Sequence, residues 1–161
     1  MSLNSQLIFD SKIGKIKIVG SDSGIEEISL ENAKGDSSKE IPFCLVEGRN
    51  QLEEYFKGER KEFDLKLNPK GTDFQNRVWA ELLKIPFGQT TSYLKLSEKL
   101  GDVKAIRAVG GANGKNKIAI VIPCHRVIGS DGKLVGYAGG LWRKQWLLDH
   151  EKASFQMKMF F

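Results

Sequence analysis

The sequence predicts a mixed α/β protein in which a small antiparallel sheet is followed by a mostly helical region. Three β-rich runs separated by turn residues occupy the first thirty positions, and a helical spacing of apolar residues takes over after residue 71. The charge divides near the same place: residues 1–65 carry 9 Lys and Arg against 13 Asp and Glu, whereas residues 66–161 carry 16 against 7. We therefore expect two modules, with a polyanion binding to the second.

Composition excludes several classes of protein. The 161 residues are 40% hydrophobic and 28% charged, which is too apolar for a disordered chain and sufficient to bury a core. No apolar stretch reaches the length of a membrane span, and the first residues do not resemble a secretory signal. Cys44 and Cys124 lack the CxxC spacing of a zinc site and do not suggest a disulfide scaffold. We expect a soluble protein of a reducing compartment, the cytoplasm or a eukaryotic nucleus.

The N-terminal module has the pattern of a β-meander. Strands are predicted over residues 6–9, 15–19, 25–30 and 62–67, with a loop over residues 32–39. Between the third and fourth strands we predict a short helix, capped by Asn50 and ended by Gly58. Residues 68–71, which are rich in turn formers, then form a junction, so the predicted domains are 1–67 and 68–161.

The second module has helical patterning. Thr72 and Gln75 form a capping box, and the apolar face of the helix that follows comprises Phe74, Val78, Trp79, Leu82 and Leu83. Ser92 caps a second predicted helix that ends at Gly101. A third runs from about residue 104 to 112, with Ile106 and Val109 facing inward, and completes a helix-turn-helix. A buried strand is predicted over residues 118–122 and a last helix over 141–152.

The third predicted helix has almost no side-chain bulk. Ala105, Ala108 and Gly111 are among its small residues, and small residues let a backbone approach another surface closely. That surface is either a nucleic-acid groove or a neighbouring helix, and the spacing alone favours neither.

The candidate nucleophile is Cys124, which follows Pro123 where the predicted buried strand ends. The thiolate is the reactive form of cysteine, and His125 and Arg126 supply a base and a positive charge nearby. Adjacent residues of an extended chain point to opposite faces, so adjacency does not establish a contact between Cys124 and His125. A small buried core residue is the alternative interpretation of this cysteine, and it is the interpretation we give Cys44.

Six segments match, in order, the motifs of one family: TDFQNRVW at 72–79, IPFGQTTSY at 85–93, RAVGGA at 107–112, IPCHRV at 122–127, GYAGGL at 136–141 and KQWLL at 144–148. This set resembles the O6-alkylguanine-DNA alkyltransferases, also called methylated-DNA–protein-cysteine methyltransferases. The resemblance covers roughly residues 70–152, whereas residues 1–65 are similar only in general layout.

The resemblance implies a fold and a partner. The fold would be a small N-terminal RNase H-like α/β domain, an antiparallel sheet plus a helix, followed by a mostly helical winged-helix-like domain that binds DNA and carries the catalytic site. The partner would be double-stranded DNA bearing an alkylated guanine, bound through the minor groove by a monomer without an obligate protein partner. The small residues Ala105, Ala108 and Gly111 suit that narrow groove. Arg107 would hold the place of the flipped-out base.

The resemblance also implies a chemistry. The sulfur of Cys124 would attack the alkyl carbon of O6-alkylguanine, and O4-alkylthymine is left open as a second substrate. His125 would deprotonate the thiol through a water, oriented by Glu151, while Asn116 braces the active-site turn and Tyr93 donates to the purine. The expected substrate pocket comprises the Val127 carbonyl, the Tyr137 ring and the Ala138 backbone N–H. No cofactor is needed because the protein is itself the acceptor, and no zinc is expected, since Cys44 is the only His or Cys before Cys124.

Several alternatives stand beside this hypothesis. A non-catalytic sensor of alkylated DNA would share the scaffold, but such relatives replace the nucleophile, so Cys124 argues against it. A winged-helix regulator leaves residues 123–127 and Glu151 unexplained, and a cysteine hydrolase would turn over esters. Outside the family pattern, Arg107 would be a phosphate contact, Tyr93 and Tyr137 core-edge residues, Asn116 a turn residue and Glu151 a solvated helix end.

Overall fold

The structure is a computed structural model that describes residues 4–30 and 35–160, the last eight of them by their backbone alone. The chain divides into two compact units. The first comprises the chain up to Lys70 together with Lys117–Ala119, and the second comprises Gly71–Asn116 and the chain from Ile120 onward. The predicted boundary at residues 67 and 68 lies close to this junction, but the prediction did not include the return of Lys117–Ala119 to the first unit.

The first unit contains the predicted antiparallel meander. Strands β1 (Ser5–Ser11), β2 (Gly14–Ser21) and β3 (Gly24–Ser29) pair in the order β1-β2-β3. Ile16 and Ile18 of β2 are fully buried, whereas Lys15 and Lys17 between and beside them are not. This alternation buries one face of the sheet, as the sequence pattern predicted. The predicted loop over 32–39 lies partly outside the described residues.

Helix α1 (Val46–Phe56) packs Leu52, Tyr55 and Phe56 into the core of this unit. A 3₁₀ turn over Phe43–Leu45 leads directly into the helix, and Leu45 occupies its N-cap without a side-chain hydrogen bond. The prediction that Asn50 caps the helix is therefore wrong, because this turn starts the helix before that residue. Gly58 follows the helix at a φ of 79°, as expected for a glycine that ends it.

The two other predicted strands are not formed. Leu67 makes a single parallel bridge to Ile25, and the run from residue 118 to 122 contributes one more bridge, from Ile118 to Ile28. The chain then turns at Ile120, whose φ is 73°. Ile118, Ile120 and Ile122 are nevertheless almost fully buried. An unbroken apolar run thus predicted burial correctly but not the backbone conformation, which apolar content alone does not determine.

The second unit is mostly helical. Helix α2 (Asp73–Leu82) begins with the predicted capping box between Thr72 and Gln75. Trp79 is buried on this helix and its indole N–H donates to the Ala112 carbonyl at 2.9 Å. Leu83, predicted to belong to the apolar face, is 49% exposed because the helix has ended at Leu82.

A helix-turn-helix follows. Ser92 caps α3 (Tyr93–Lys99), Gly101 turns the chain at a φ of 88°, and a 3₁₀ turn over Val103–Ala105 leads into α4 (Ile106–Gly114). Val109 is buried as predicted, but Ile106, the first residue of α4, is 37% exposed, so the prediction that it faces inward is wrong. Helix α5 (Leu141–Phe160) runs past the predicted end at residue 152. Within the described part of the chain, no helix is long and apolar enough to cross a membrane.

Candidate active site

Cys124 lies on a tight turn rather than on an extended segment. Residues Cys124–Arg126 form one turn of 3₁₀ helix, closed by a hydrogen bond of 3.0 Å from the Arg126 N–H to the Pro123 carbonyl. The chain then enters β5 (Val127–Ile128), which pairs in parallel with β4 (Thr91–Ser92) and so fixes the end of the turn. The cysteine is 6% exposed. The expectation that neighbouring side chains point to opposite faces therefore does not apply here.

Two asparagines hold this turn. The side-chain amide of Asn116 donates to the Ile122 carbonyl at 2.7 Å, and the amide of Asn113 lies 3.5 Å from the Cys124 carbonyl. Burial raises the pKa of the Cys124 thiol, while a hydrogen bond from Asn116 and the charge of Lys144 act against that rise. The bracing position predicted for Asn116 agrees with this geometry. Asn113 was missed, because a buried asparagine within a run of small helical residues gives no distinct sequence signal.

His125 and Glu151 form a fully shielded pair. The histidine Nε2 lies 2.7 Å from the Glu151 Oε2, and the two side chains are 0% and 1% exposed. Burial lowers the pKa of His125, although the nearby carboxylate opposes that effect, so the imidazole is neutral at neutral pH. An ionised carboxylate only accepts hydrogen bonds, which places the imidazole proton on Nε2. The Nδ1 atom is then the basic one, and it is buried without a hydrogen-bond partner among the described residues.

Arg126 also binds Glu151. Its Nε donates to the Oε1 at 2.8 Å, one Nη to the Oε2 at 3.0 Å, and the other Nη to the Ile85 carbonyl at 2.7 Å. Burial alone would raise the pKa of Glu151, but His125 and Arg126 hold it well below its usual range. The guanidinium therefore keeps the carboxylate ionised. The sequence placed Arg126 as the positive charge beside the thiol, whereas the structure directs it to Glu151.

Lys144 is the buried cation whose charge acts on the thiol. Its side chain is 0% exposed, and its Nζ donates to the carbonyls of Val135 at 3.1 Å and Gly136 at 3.2 Å. Burial lowers the pKa of this lysine, while the charge of Cys124 opposes that change. Lys144 is not among the residues predicted for the site. Its spacing on α5 was the available signal, because Lys144, Leu147 and Glu151 recur every three to four residues on one helix face.

Two tyrosines predicted for the site lie close enough to Cys124 for its charge to affect their pKa values. The Tyr93 hydroxyl donates to the Val135 carbonyl at 3.0 Å, and burial followed by the charge of Cys124 raises its pKa. The Tyr137 hydroxyl is buried with no partner among the described residues. Burial, and then the charges of Cys124 and Glu151, raise the pKa of Tyr137 well above its usual value.

Two further pocket residues were predicted. Val127, whose carbonyl was expected to bind the substrate, has a fully buried side chain, and Ala138 is exposed on the turn after Tyr137. The roles of these two residues remain predictions.

Apart from Tyr93, which begins α3, the residues predicted to contact DNA lie on α4 and the turn before it. Arg107, Ala108 and Gly111 are exposed, and Ala105 is half-buried. A Cβ added at Gly111 would meet no atom within 4 Å. Packing on a neighbouring helix therefore does not explain this glycine, which favours the other alternative, a surface kept open for close approach.

Among the described residues, no three His, Cys, Asp or Glu side chains lie close enough together to hold a metal ion. A shielded cysteine beside a neutral histidine oriented by a glutamate is instead the arrangement of a cysteine nucleophile. The fold presents this site in a helical domain that follows a small antiparallel sheet.

Comparison with known families identifies the family that combines this cysteine site with this order of domains. Residues 73–153 match the 6-O-methylguanine DNA methyltransferase DNA binding domain, and residues 6–69 match the ribonuclease-like domain of the same family. The chain therefore belongs to the 6-O-methylguanine DNA methyltransferase family. This confirms the resemblance stated from the sequence and the predicted fold class of a ribonuclease-like α/β domain followed by a helical DNA-binding domain. The winged-helix description of the second domain remains a prediction.

Individual relatives cover nearly the whole chain. A methylated-DNA–protein-cysteine methyltransferase of Methanosarcina barkeri is 48% identical over 156 residues, covering 92% of this chain and 98% of the relative. Its counterpart from Mycobacterium bovis is 45% identical, covering 89% and 90%. The crystal structure of Mycobacterium tuberculosis O6-methylguanine methyltransferase, 44% identical, superimposes with a TM-score of 0.84 over 94% of each chain. The Mycobacterium tuberculosis OGT structure in complex with DNA gives 46% identity and a TM-score of 0.83, over 91% and 92%.

Proposed function

We propose that this protein repairs DNA by transferring a methyl or other alkyl group from the O6 atom of guanine in a duplex to its own Cys124. The observation that carries the proposal is the site itself: a buried thiol follows Pro123, and Glu151 fixes the adjacent His125 through Nε2, which leaves Nδ1 as the basic atom. In a chain 48% identical to a methylated-DNA–protein-cysteine methyltransferase, that arrangement matches one reaction. The cytoplasmic setting and the monomeric state are part of the proposal.

The chemistry begins with the thiol proton. His125 accepts it at Nδ1 through a water, and Glu151 stabilises the imidazolium that results. Burial raises the pKa of the Cys124 thiol, so a base is needed to populate the thiolate. Lys144 assists, because its charge lowers the pKa of the thiol.

The thiolate then displaces guanine from the alkyl carbon. A sulfur–carbon bond forms as the bond from that carbon to O6 breaks, and the electron pair of the broken bond moves into the purine. The Tyr93 hydroxyl donates a proton so that guanine leaves as a neutral base. A thioether remains on Cys124, and because a thioether is not reduced as a disulfide is, each molecule reacts once. The protein supplies the acceptor itself, so the reaction consumes no diffusible cofactor.

DNA is bound through α4 in this proposal. The exposed Ala108 and Gly111 allow the helix backbone to approach the narrow minor groove, and Arg107 fills the space left in the base stack when the alkylated guanine turns out. The excess of Lys and Arg after residue 65 contributes sequence-independent phosphate contacts. Base flipping is required because the reacting O6 atom is enclosed in the duplex.

The test is mass spectrometry of the protein after incubation with a duplex containing O6-methylguanine. The expected result is a gain of one methylene unit on the Cys124 peptide, with none on the Cys44 peptide and none in Cys124→Ala. Cys44 is half-buried and serves as an internal control for nonspecific alkylation. An unchanged mass combined with preferential binding of the lesion duplex would replace this proposal with the lesion-sensor alternative.

A further inference from the structure

The segment of residues 133–139, here called the strap, is tied to helices α3 and α5 at several backbone carbonyls. Tyr93 of α3 donates to the Val135 carbonyl, and Lys144 of α5 donates to the carbonyls of Val135 and Gly136. The Arg143 guanidinium donates to the Gly139 carbonyl at 2.8 Å. The strap also carries Tyr137, whose buried hydroxyl is sensitive to the charge of Cys124. The strap therefore carries a residue that lies close enough to the thiol to respond to its charge.

A lysine is rarely found at the centre of a buried helix face, where Lys144 lies. An ammonium group removed from water loses a large solvation energy unless hydrogen bonds replace the lost water. Its neighbour one turn along, Leu147, fills an equally buried position with an apolar side chain. The ammonium donates hydrogen bonds to the two strap carbonyls, and its Nζ lies 5.9 Å from the centre of the Tyr93 ring. The lysine thus contacts the strap and lies close to Tyr93, which contacts the same segment.

Lys144 and Tyr93 share one acceptor, the Val135 carbonyl. A carbonyl oxygen has two lone pairs, so it accepts both donors at once. In the proposed reaction the Tyr93 hydroxyl must donate to the purine, and for that it has to leave the Val135 carbonyl. Lys144 remains bonded to Val135 and Gly136 when this happens, and the strap keeps its place.

We propose that Lys144 is a positioning residue that holds the strap beside Cys124, so that Tyr93 can turn from Val135 to the flipped base without loss of the pocket wall. This inference rests on the proposed function, since it assigns Lys144 a task within that reaction. The alternative is that Lys144 acts only as a charge beside the thiol. The two hypotheses differ in the quantity that changes when the lysine is replaced: hydrogen exchange of the strap in the first, and the pH profile of transfer in the second.

The experiment compares backbone hydrogen exchange with single-turnover methyl transfer in four proteins: the wild type, Lys144→Met, Tyr93→Phe and the double variant. In Lys144→Met we expect strap amides to exchange about tenfold faster or more, the effect of losing a charge-assisted hydrogen bond. Exchange in α2 should stay unchanged. Tyr93→Phe alone should loosen the strap less, because Lys144 still holds Val135. The double variant should loosen it by more than the sum of the two free-energy changes, since Val135 then loses both donors.

Transfer kinetics give the second readout. In Lys144→Met the concentration of lesion duplex at half-maximal rate should rise, while affinity for an unmodified duplex stays the same. Lys152→Met, an exposed lysine of the same helix, is the matched control and should leave strap exchange unaltered. Lys144→Gln retains N–H donors without the charge and should restore part of the strap protection, which also provides a measurement should the methionine variant fail to fold.

Two results would overturn the assignment. The first is hydrogen exchange of the strap that is the same as in the wild type in both Lys144→Met and Lys144→Gln. The second is a shift in the pH profile of transfer to higher pH with strap exchange unaltered, which would establish the charge-only alternative. If instead the wild type fails to methylate Cys124, the proposed function fails, while the exchange data still decide whether Lys144 holds the strap.

Discussion

The imidazole of His125 and the carboxylate of Glu151 meet at 2.7 Å, although 26 residues of chain separate them and solvent reaches neither group. The tight turn after Pro123 presents the histidine, and helix α5 brings the glutamate to it. Because Arg126 binds the same carboxylate, one acidic side chain both orients the base and balances a buried cation. Catalysis and stability should therefore respond together when Glu151 is changed.

Glu151→Gln should lower both the transfer rate and the stability. The amide keeps an acceptor for His125 but no longer balances the buried Arg126 charge, and breaking a buried ion pair typically costs about 3–5 kcal/mol. We expect single-turnover transfer to fall by about tenfold or more, because the neutral amide does not stabilise the imidazolium. Rates are measured with an O6-methylguanine duplex, and stability by denaturant unfolding. Asp149→Asn, an exposed change on the same helix, is the control, and equal losses in both variants would contradict a specific role for Glu151.

Stability should fall with acid in two separate steps. The pKa of His125 is lowered below 6.5 in the folded protein, so the unfolded chain binds more protons as the pH falls through 6.5, and folding weakens. The pKa of Glu151 is also lowered, from 4.5, so its contribution is present above 4.5 and is lost as the pH falls toward the folded value. The measurement is the free energy of unfolding from pH 7.5 to 3.5. In His125→Gln the step near 6.5 should vanish while the lower one remains, and an unaltered upper step would assign it to another group.

Gly111→Leu should stabilise the fold and weaken DNA binding. A side chain at this position meets no protein atom within 4 Å, and replacing a helical glycine with leucine is worth about 0.5–1 kcal/mol. The same side chain would obstruct the approach of α4 to a minor groove. The checks are thermal unfolding and fluorescence anisotropy with an unmodified duplex at fixed salt. Gly114→Leu is the matched control, because it makes the same change at the helix end, where an added Cβ also meets no atom within 4 Å. Unchanged affinity in Gly111→Leu would show that DNA does not approach this face.

Arg107→Ala should lower methyl transfer from duplex DNA by about tenfold or more, because the flipped state loses the group that fills the vacated stack. Reaction with free O6-methylguanine base, which needs no flipping, should be unchanged. Lys104→Ala, an exposed cation of the preceding turn, should weaken binding to lesion and unmodified duplexes equally. If Arg107→Ala behaves like Lys104→Ala in both assays, the arginine is a phosphate contact and the flipping assignment is wrong.

Local signals predicted much of the backbone. The alternation in β2, the Thr72–Gln75 capping box and the glycine at residue 101 each depend on a few neighbouring residues, and the structure confirms each of them. The strand predicted over residues 118–122 did not form, because apolar content indicated its burial but not its backbone conformation. The cap predicted at Asn50 was wrong because the preceding 3₁₀ turn had already started α1.

The grouping of some candidate site residues could be inferred where the family motif includes them. Cys124, His125 and Asn116 are close in sequence, and the structure places them together around one turn. Lys144 was missed because a lysine on a helix is usually solvated, and only its spacing from Leu147 and Glu151 indicates the buried face. The partner of Arg126 was missed because its acceptor, Glu151, lies 25 residues further along the chain and the local sequence does not indicate it.

The bridge between Ile118 and Ile28 has a consequence for how such a protein can be divided. Lys117–Ala119 pairs with β3 through hydrogen bonds at Ile28, yet it lies in the chain between Asn116 and Cys124. A gene cut at the Lys70–Gly71 junction would therefore not yield two self-sufficient halves. The first half would lack the segment that pairs beside β3, and the second would carry an unpaired apolar segment next to its nucleophile. An exchange of the N-terminal half between relatives must therefore preserve the pairing of Lys117–Ala119 with β3.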